Sequence, residues 1–455
     1  MHDAAQRPRG TESAGLVGSN GTDRQHLDIV KGHGLARDVF TEESLSKLSG
    51  SRVIIGHNRY STAGKKRSAI NCVQPFVVYT AIGTVAIAHN GELVDAKQKR
   101  EEVLHEGVGL STDTDSELIA QMVAKAIALN YKCRSNSDWG DISKELAVTM
   151  SAINMSYSVV VMSYDRLYAI RDPYGNRPLC VGTAYDNERE LVRRSSETCA
   201  LPGSAKLNFE VQPGEIVEIS RKGIRSVCQM KPQSPQAMCI FEYVYFARND
   251  SIMEGQQVQT VREECGKILA QETHVEADIV SNVPDSSTAA AIGYAAQSGI
   301  VYEPCLHRNS YVGRSFIQPS TEMRHGAILK FQRVVSITGR RIILIDDSIV
   351  RGNTMRILVH MLLSAGAKEV HLRIASPPVK HPCFMGINIP TKEELLANER
   401  NLDEITAHIG ATSVAYLSVE GLTKAVQSGI ERRRNFDVGH CTGCLTGKYP
   451  VDIDF

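Results

Sequence analysis

The stretch GRRIILIDDSIVRGNTMRILVHMLLSAGA, residues 339–367, limits the fold of this chain more than any other part of it. Four apolar residues in a row, two acids, a loop of hydroxyl and glycine residues and then apolar residues at helical spacing read as buried strand, loop and helix. ADIVSNVPDSSTAAAIGYAAQSG before it and KEVHLRIAS after it repeat the rhythm. A strand, loop, helix repeat of this kind implies a mainly parallel sheet with helices on its faces.

In such sheets ligands bind beyond the carboxyl ends of the strands. Asp346 and Asp347 stand at such an end, and Ser348, Val350, Arg351, Gly352, Asn353 and Thr354 lead into the helix. Backbone N–H groups at a helix start form an anion site. Two carboxylates do not hold phosphate, so they face sugar hydroxyls or a divalent cation. The ordinary alternative is a strand terminus with a helix cap, which accounts for one acid better than for an adjacent pair. In SNVPDSSTAAA, residues Asp285, Ser286 and Ser287 sit between a strand and a helix as a second anion loop would, a pattern that helix capping alone also produces.

The remaining composition sets bounds. With 455 residues the chain is long for one core, and two domains plus extensions are expected. Lys plus Arg equals Asp plus Glu at 51 each, which gives no support for a nucleic-acid or acidic-membrane partner. No apolar run approaches a membrane span and the polar amino terminus has no signal-peptide character, so a cytoplasmic location is expected. Up to residue 230, runs such as RVIIGH, TVAIAHNGEL, SYSVVVMSYDRLYAIRD and EIVEISRKGI alternate with Gly, Asn and Pro and read as strands of an antiparallel-rich α+β domain. KPQSPQ, residues 231–236, marks the boundary. The expected division is therefore 1–230, 231–430 and an extension, 431–455, that carries a C-x-x-C pair.

The segment around Asp346 closely resembles the phosphoribosyl-pyrophosphate (PRPP) motif of type I phosphoribosyltransferases. RGTESAG, GHNRYSTAG, AHNGEL, STDTDSE, RDPYGNRPL, FEYVYFARNDS, SYVGRSFIQP, ASPPVKHPCFMGINIPTKEEL, LSVEGL and CTGCLTGKYP extend the likeness along nearly the whole chain. In that order they resemble the amidophosphoribosyltransferase family. The resemblance implies an N-terminal-nucleophile glutaminase sandwich followed by an α/β phosphoribosyltransferase domain. It also implies formation of 5-phosphoribosylamine from PRPP and glutamine-derived ammonia, the first step of de novo purine synthesis.

The same resemblance assigns residues. Arg59 would hold the glutamine carboxylate, Asn90 and Gly91 would form the oxyanion hole, and Asp115 would take the α-amino group. PRPP would be held by Asp285, Ser286, Ser287, Arg308, Tyr311, Arg314, Asp346, Asp347 and the loop Ser348–Thr354, with magnesium on Ser286, Asp346 and Asp347. Asn58 stands where the family usually has Thr. Purine nucleotides as feedback inhibitors and a homo-tetramer are implied as well.

The odd number of cysteines, 11, argues for reduced thiols or metal ligands rather than a disulfide framework. Cys441 and Cys444 have a spacing used for zinc, iron–sulfur clusters and redox dithiols. The iron–sulfur branch of the family implies a [4Fe–4S] cluster on Cys239, Cys383, Cys441 and Cys444. Buried structural thiols are expected for Cys72, Cys133, Cys180, Cys199, Cys228, Cys265 and Cys305.

Family members begin with a cysteine in a strand ahead of the RGQESAG box; here RGTESAG at residues 9–15 is preceded only by MHDAAQRP. The terminal α-amine, with an ordinary pKa of about 8, is the base for that thiol, so an internal cysteine does not replace it. The chain as written is therefore expected to use ammonia rather than glutamine, and a sandwich without its first strand is expected to expose sheet edge. A shortened gene model accounts for this best, ahead of a natural short isoform or a glutaminase-dead paralogue. A PRPP-sensing regulator is the rival function, yet neither a DNA-binding module nor a basic face is evident. A salvage phosphoribosyltransferase would leave the glutaminase motifs unexplained.

Overall fold

The computed structural model describes residues 12–59, 70–93, 96–130, 139–153, 156–186, 189–201, 205–233, 235–308, 331–333, 336–386, 391–430 and 438–451. In the amino-terminal half, strands β4 (Phe76–Thr80), β5 (Gly83–Glu92), β6 (Ser156–Met162), β7 (Leu167–Arg171), β11 (Glu215–Ser220) and β12 (Gly223–Gln229) form one antiparallel sheet in the order β12-β11-β7-β6-β5-β4. Period-two alternation sends their side chains to two cores. Val85, Ile87, Val159, Val161, Tyr168 and Ile170 face helices α1 (Asp115–Asn130) and α2 (Ser143–Ser151). Ala86, Ala88, Met162, Leu167, Ala169 and Val217 meet Val17, Ile55, Val181 and Val211 from the opposite layer.

That opposite layer holds two smaller sheets. One is β1 (Ser13–Ser19), β2 (Asp28–His33) and β3 (Val53–Arg59), ordered β2-β1-β3; the other is β8 (Cys180–Asp186), β9 (Arg189–Ser195) and β10 (Lys206–Glu210), ordered β10-β8-β9. Strand β3 is an edge of its sheet among the described residues, and Ile54 on it is exposed. Residues before Glu12 lie outside the described residues.

Beyond Gln229 the architecture changes. Met238 and Cys239 (β13) already belong to the carboxyl-terminal core. There β14 (Ile279–Asn282), β15 (Arg341–Asp346), β16 (Glu369–Ile374) and β17 (Ser413–Tyr416) form a wholly parallel sheet in sequential order. Helices α3 (Val258–Glu272), α4 (Thr288–Ser298), α5 (Asn353–Ser364), α6 (Leu402–Ile409) and α7 (Val419–Gln427) accompany it. Ile343 and Ile345 of β15 enter one core and Ile342 and Leu344 the other, so this strand is buried on both faces. Such a strand has no place for charge until it leaves the sheet, which puts Asp346 and Asp347 at its mouth. The final strand, β18 (His440–Cys441), returns to pair in parallel with β13, aligning Cys441 with Cys239.

Candidate functional site

Two loops meet at the carboxyl end of the parallel sheet. Asp346 and Asp347 close β15, and Ser286 Oγ, in the loop between β14 and α4, hydrogen-bonds to Asp347. Ser348 Oγ donates to the other Asp347 oxygen at 2.7 Å. Asp347 is only 6% exposed. Burial pushes the Asp346 carboxyl well above the usual carboxylate range, and the charge of Asp347 adds to the shift. A buried carboxylate beside a partly buried one, with a hydroxyl next to them, forms an oxygen-only donor set that suits a hard divalent cation.

The two helix starts facing this point lack side-chain caps. Gly352 enters α5 at φ +80° without capping it. Ser287 precedes α4, but its hydroxyl turns back to the Val283 carbonyl at 2.5 Å. Helices α6 and α7, away from the acids, are capped by Asn401 and Ser418. Helix α3 also lacks a side-chain cap, so an open helix start alone identifies nothing. Beside the acid pair, however, the first-turn N–H groups of α4 and α5, which no side chain caps, provide anion-binding capacity next to cation-binding capacity. Arg308 donates to Asp285 at 2.5 Å, bringing a positive charge to the same rim. Tyr311 and Arg314 lie outside the described residues.

The residues singled out in the amino-terminal half are gathered from three elements. Arg59 ends β3 and donates to the Cys72 carbonyl at 3.2 Å. Asn90 and Gly91 lie near the end of β5, and Asp115 opens α1, where it accepts from the Leu93 N–H at 3.1 Å. Gly91 has φ +156°, and a Cβ there would collide with the Ser156 carbonyl oxygen, so a side chain is excluded. His89 is 4% exposed, contacts Ser116 Oγ at 3.1 Å and stands 3.9 Å from Asp115. Burial lowers the His89 pKa; Asp115 opposes the shift and Arg177 reinforces it. Burial, the His89 charge and the Arg59 charge together bring His57 down to about 4. Both rings are therefore neutral near pH 7.

Sequence reasoning missed this histidine pair and missed the seam between the halves. Arg177 Nη2 meets Glu242 Oε1 at 2.8 Å, with side chains 4% and 0% exposed. Asn176 donates to the Ala237 carbonyl, and its own carbonyl accepts from Cys239 N–H at 3.1 Å. Ser156 Oγ donates to the Met385 carbonyl at 2.8 Å. Gly386 lies directly on Gly91, since a Cβ at Gly386 would be 3.0 Å from Gly91 Cα. RDPYGNRPL and HPCFMGIN were visible as motifs, yet nothing in either marks the other as its neighbour.

The four cysteines come together on the transferase side of that seam. Cys239 and Cys441 are register partners, and Cys444 is near enough to Cys383, Cys239 and Cys441 to be perturbed by each. Burial raises Cys239 and Cys441 to about 12 and pushes Cys444 well above the usual thiol range. Phe384 and Tyr449 meet edge to face at 5.2 Å beside them. Among the described residues, no three His, Cys, Asp or Glu side chains form a ready metal site. Burial opposes ionisation of these thiols, whereas a metal or cluster binds thiolates, so what the geometry offers is an all-sulfur donor set of close-set cysteines. Of the other cysteines, Cys72, Cys180, Cys265 and Cys305 are buried as expected, whereas Cys199 and Cys228 are only partly so. Cys228 packs at the margin of the core under the helices, and Cys199 Sγ donates to Glu197 at 3.6 Å; Cys133 lies outside the described residues.

With this geometry in place, the similarities to known proteins are specific. The glutamine amidotransferase domain family matches residues 57–202. The chain is 48% identical over 483 residues to an amidophosphoribosyltransferase of Rattus norvegicus, covering 98% of this chain and 92% of the relative. The Bacillus subtilis amidophosphoribosyltransferase is 41% identical, covering 98% and 89%. A solved structure of glutamine PRPP amidotransferase from B. subtilis complexed with ADP and GMP gives a TM-score of 0.83 at 39% identity, covering 98% and 92%. One described as the allosteric regulatory enzyme of purine biosynthesis gives 0.84 at 40%, covering 98% and 91%.

Proposed function

The chain belongs to the amidophosphoribosyltransferase family, and from that premise we propose how its residues carry out the family reaction. PRPP loses pyrophosphate to ammonia released from glutamine, and 5-phosphoribosylamine forms at the start of purine synthesis. The observation that carries this reading is the acid pair at the mouth of β15, opening onto the uncapped start of α5.

Asp346 and Asp347 orient the ribose hydroxyls, and the loop Ser348–Thr354 holds the 5′-phosphate by its backbone N–H groups. Asp285, Ser286 and Ser287 line the pyrophosphate side, where Arg308 supplies positive charge; the family resemblance assigns Tyr311 and Arg314 to PRPP as well. Asp346, Asp347 and Ser286 hold magnesium, which when bound offsets the charge of the departing pyrophosphate. In the other half Arg59 takes the glutamine carboxylate, for which a planar bidentate donor is suited, and Asp115 takes its α-amine. Asn90 and the Gly91 N–H stabilise the oxyanion, and Gly91 fits that task because no side chain intrudes. Cys239, Cys383, Cys441 and Cys444 hold a [4Fe–4S] cluster, which when bound fastens the carboxyl terminus to the domain seam.

The B. subtilis relative was captured with ADP and GMP, and we extend nucleotide feedback and a tetrameric assembly to this chain on that likeness. No described helix is long and apolar enough to cross a membrane, and a cytoplasmic location is proposed with the pathway. The test is pyrophosphate release from PRPP with saturating ammonia and magnesium under anaerobic conditions. Stoichiometric pyrophosphate and phosphoribosylamine are expected; no release from folded protein overturns the reading.

A further inference from the structure

A segment just past the thiol loop reaches across to the phosphate loop. It comprises a short turn at Lys392–Glu394 and a short helix at Leu396–Glu399. Three contacts join it to residues 350–352. The Leu396 N–H donates to the Val350 carbonyl at 2.9 Å. The Leu396 side chain occupies the space beside Gly352, where a Cβ would stand 2.7 Å from Leu396 Cδ2. Arg351 Nε donates to Glu394 Oε2 at 2.6 Å, with side chains 20% and 51% exposed.

We propose that Thr391–Leu396 is a brace that sets the phosphate loop in its binding shape, with Glu394 a positioning residue acting through Arg351. This rests on the reading that the loop takes the 5′-phosphate of PRPP. A cradle of backbone N–H groups binds only when its dihedrals converge, and ordering a free residue costs about 1–2 kcal/mol. A loop already held avoids that cost at the moment of binding. Leu396 fixes the backbone at Val350 and Gly352, and Glu394 fixes the side chain between them.

Glu394 does not help an anion by its charge, because a carboxylate near a phosphate repels it. Its half-exposed ion pair is also of the class whose Coulomb energy is small. Position is what it contributes, and position and charge predict opposite effects on removal. Glu394→Ala releases Arg351, whereas Glu394→Gln removes the charge but keeps an acceptor for Nε.

The experiment is PRPP titration of ammonia-dependent pyrophosphate release by the full chain. Glu394→Ala is expected to raise KM for PRPP roughly three- to tenfold, with kcat within about twofold, the signature of lost binding rather than lost chemistry. Glu394→Gln is expected to restore KM to within about twofold of the parent, and Leu396→Ala to raise it as Glu394→Ala does. An unchanged KM in Glu394→Ala overturns the brace. A lowered KM in both Glu394 variants overturns it too, and makes Glu394 a repelling charge. Failure of the underlying reading looks different: pyrophosphate release would then survive in Asp346→Ala/Asp347→Ala.

Discussion

Asp346, Asp347 and the loop to Thr354 come from one unbroken stretch of chain, whereas Arg59, Asn90, Gly91 and Asp115 come from two strands and a helix. The first group is shaped by its immediate neighbours in sequence: a buried strand ends, a glycine turns, a helix begins. The second is shaped by tertiary contacts, including the seam where Gly386 rests on Gly91 and Ser156 bonds to Met385. The contrast teaches that the transferase site answers to changes within its own half, in its own stretch of chain or at the Leu396 and Glu394 contacts. The glutaminase site answers to changes made in the other half of the molecule.

The largest expected effect is local. Asp346→Ala with Asp347→Ala should cut ammonia-dependent pyrophosphate release by roughly 10³-fold or more, as loss of paired cation and substrate contacts does. Circular dichroism should show the fold intact, because Asp346 is the last residue of the strand and Asp347 lies beyond it.

The seam gives the next largest effect. Glu242→Ala strands the Arg177 guanidinium in a buried site and should destabilise the protein by about 3–5 kcal/mol, measured by denaturant unfolding. Removing both charges together, with Arg177→Met and Glu242→Leu, should recover much of that loss. Full additivity of the two single changes would break the claim that the halves are coupled there.

Cys383→Ser sharpens the comparison from the thiol side. Under anaerobic purification, iron should fall from roughly four per chain to well below that, with lower soluble yield. Zinc at one per chain in the parent protein would replace the cluster with a different metal.

The smallest effect is a pH dependence of the glutaminase half. His57 is depressed from 6.5 to about 4 by burial, so its contribution to stability is fully present above pH 6.5 and lost as pH falls toward 4. His57→Gln should flatten the acid limb of the melting curve in that window, by about 2–4 °C per kcal/mol removed. A variant that melts in parallel with the parent from pH 7 to 4 would show that the ring is not held neutral.

Much of the transferase half was legible because its signals are contiguous in the chain. The Ile342–Ile345 run gives the buried strand, the acids its end, and Met355, Leu358, Val359 and Leu362 the helix face. In the amino-terminal half the runs that hold β3, β5, β6, β7 and β11 were legible by alternation, although their assignment to two layers was not, since period two marks faces but not partners. Arg351 and Glu394 are forty-three positions apart, and Gly91 and Gly386 lie in different halves. No periodicity relates such pairs, so the brace and the seam emerge only once the chain is folded.

The pairing of Cys239 with Cys441 carries a consequence for the birth of the molecule. The strand that opens the transferase half waits for a partner about two hundred residues downstream. At roughly 5–20 residues per second of synthesis, that wait is about 10–40 s. During this interval the Met238–Phe241 segment, apolar and without its final strand, is a surface for wrong associations. Slowing or stalling translation between residues 380 and 440 should therefore raise aggregation of the nascent chain, while the described strands of the amino-terminal sandwich, which lie before residue 230, are already synthesised.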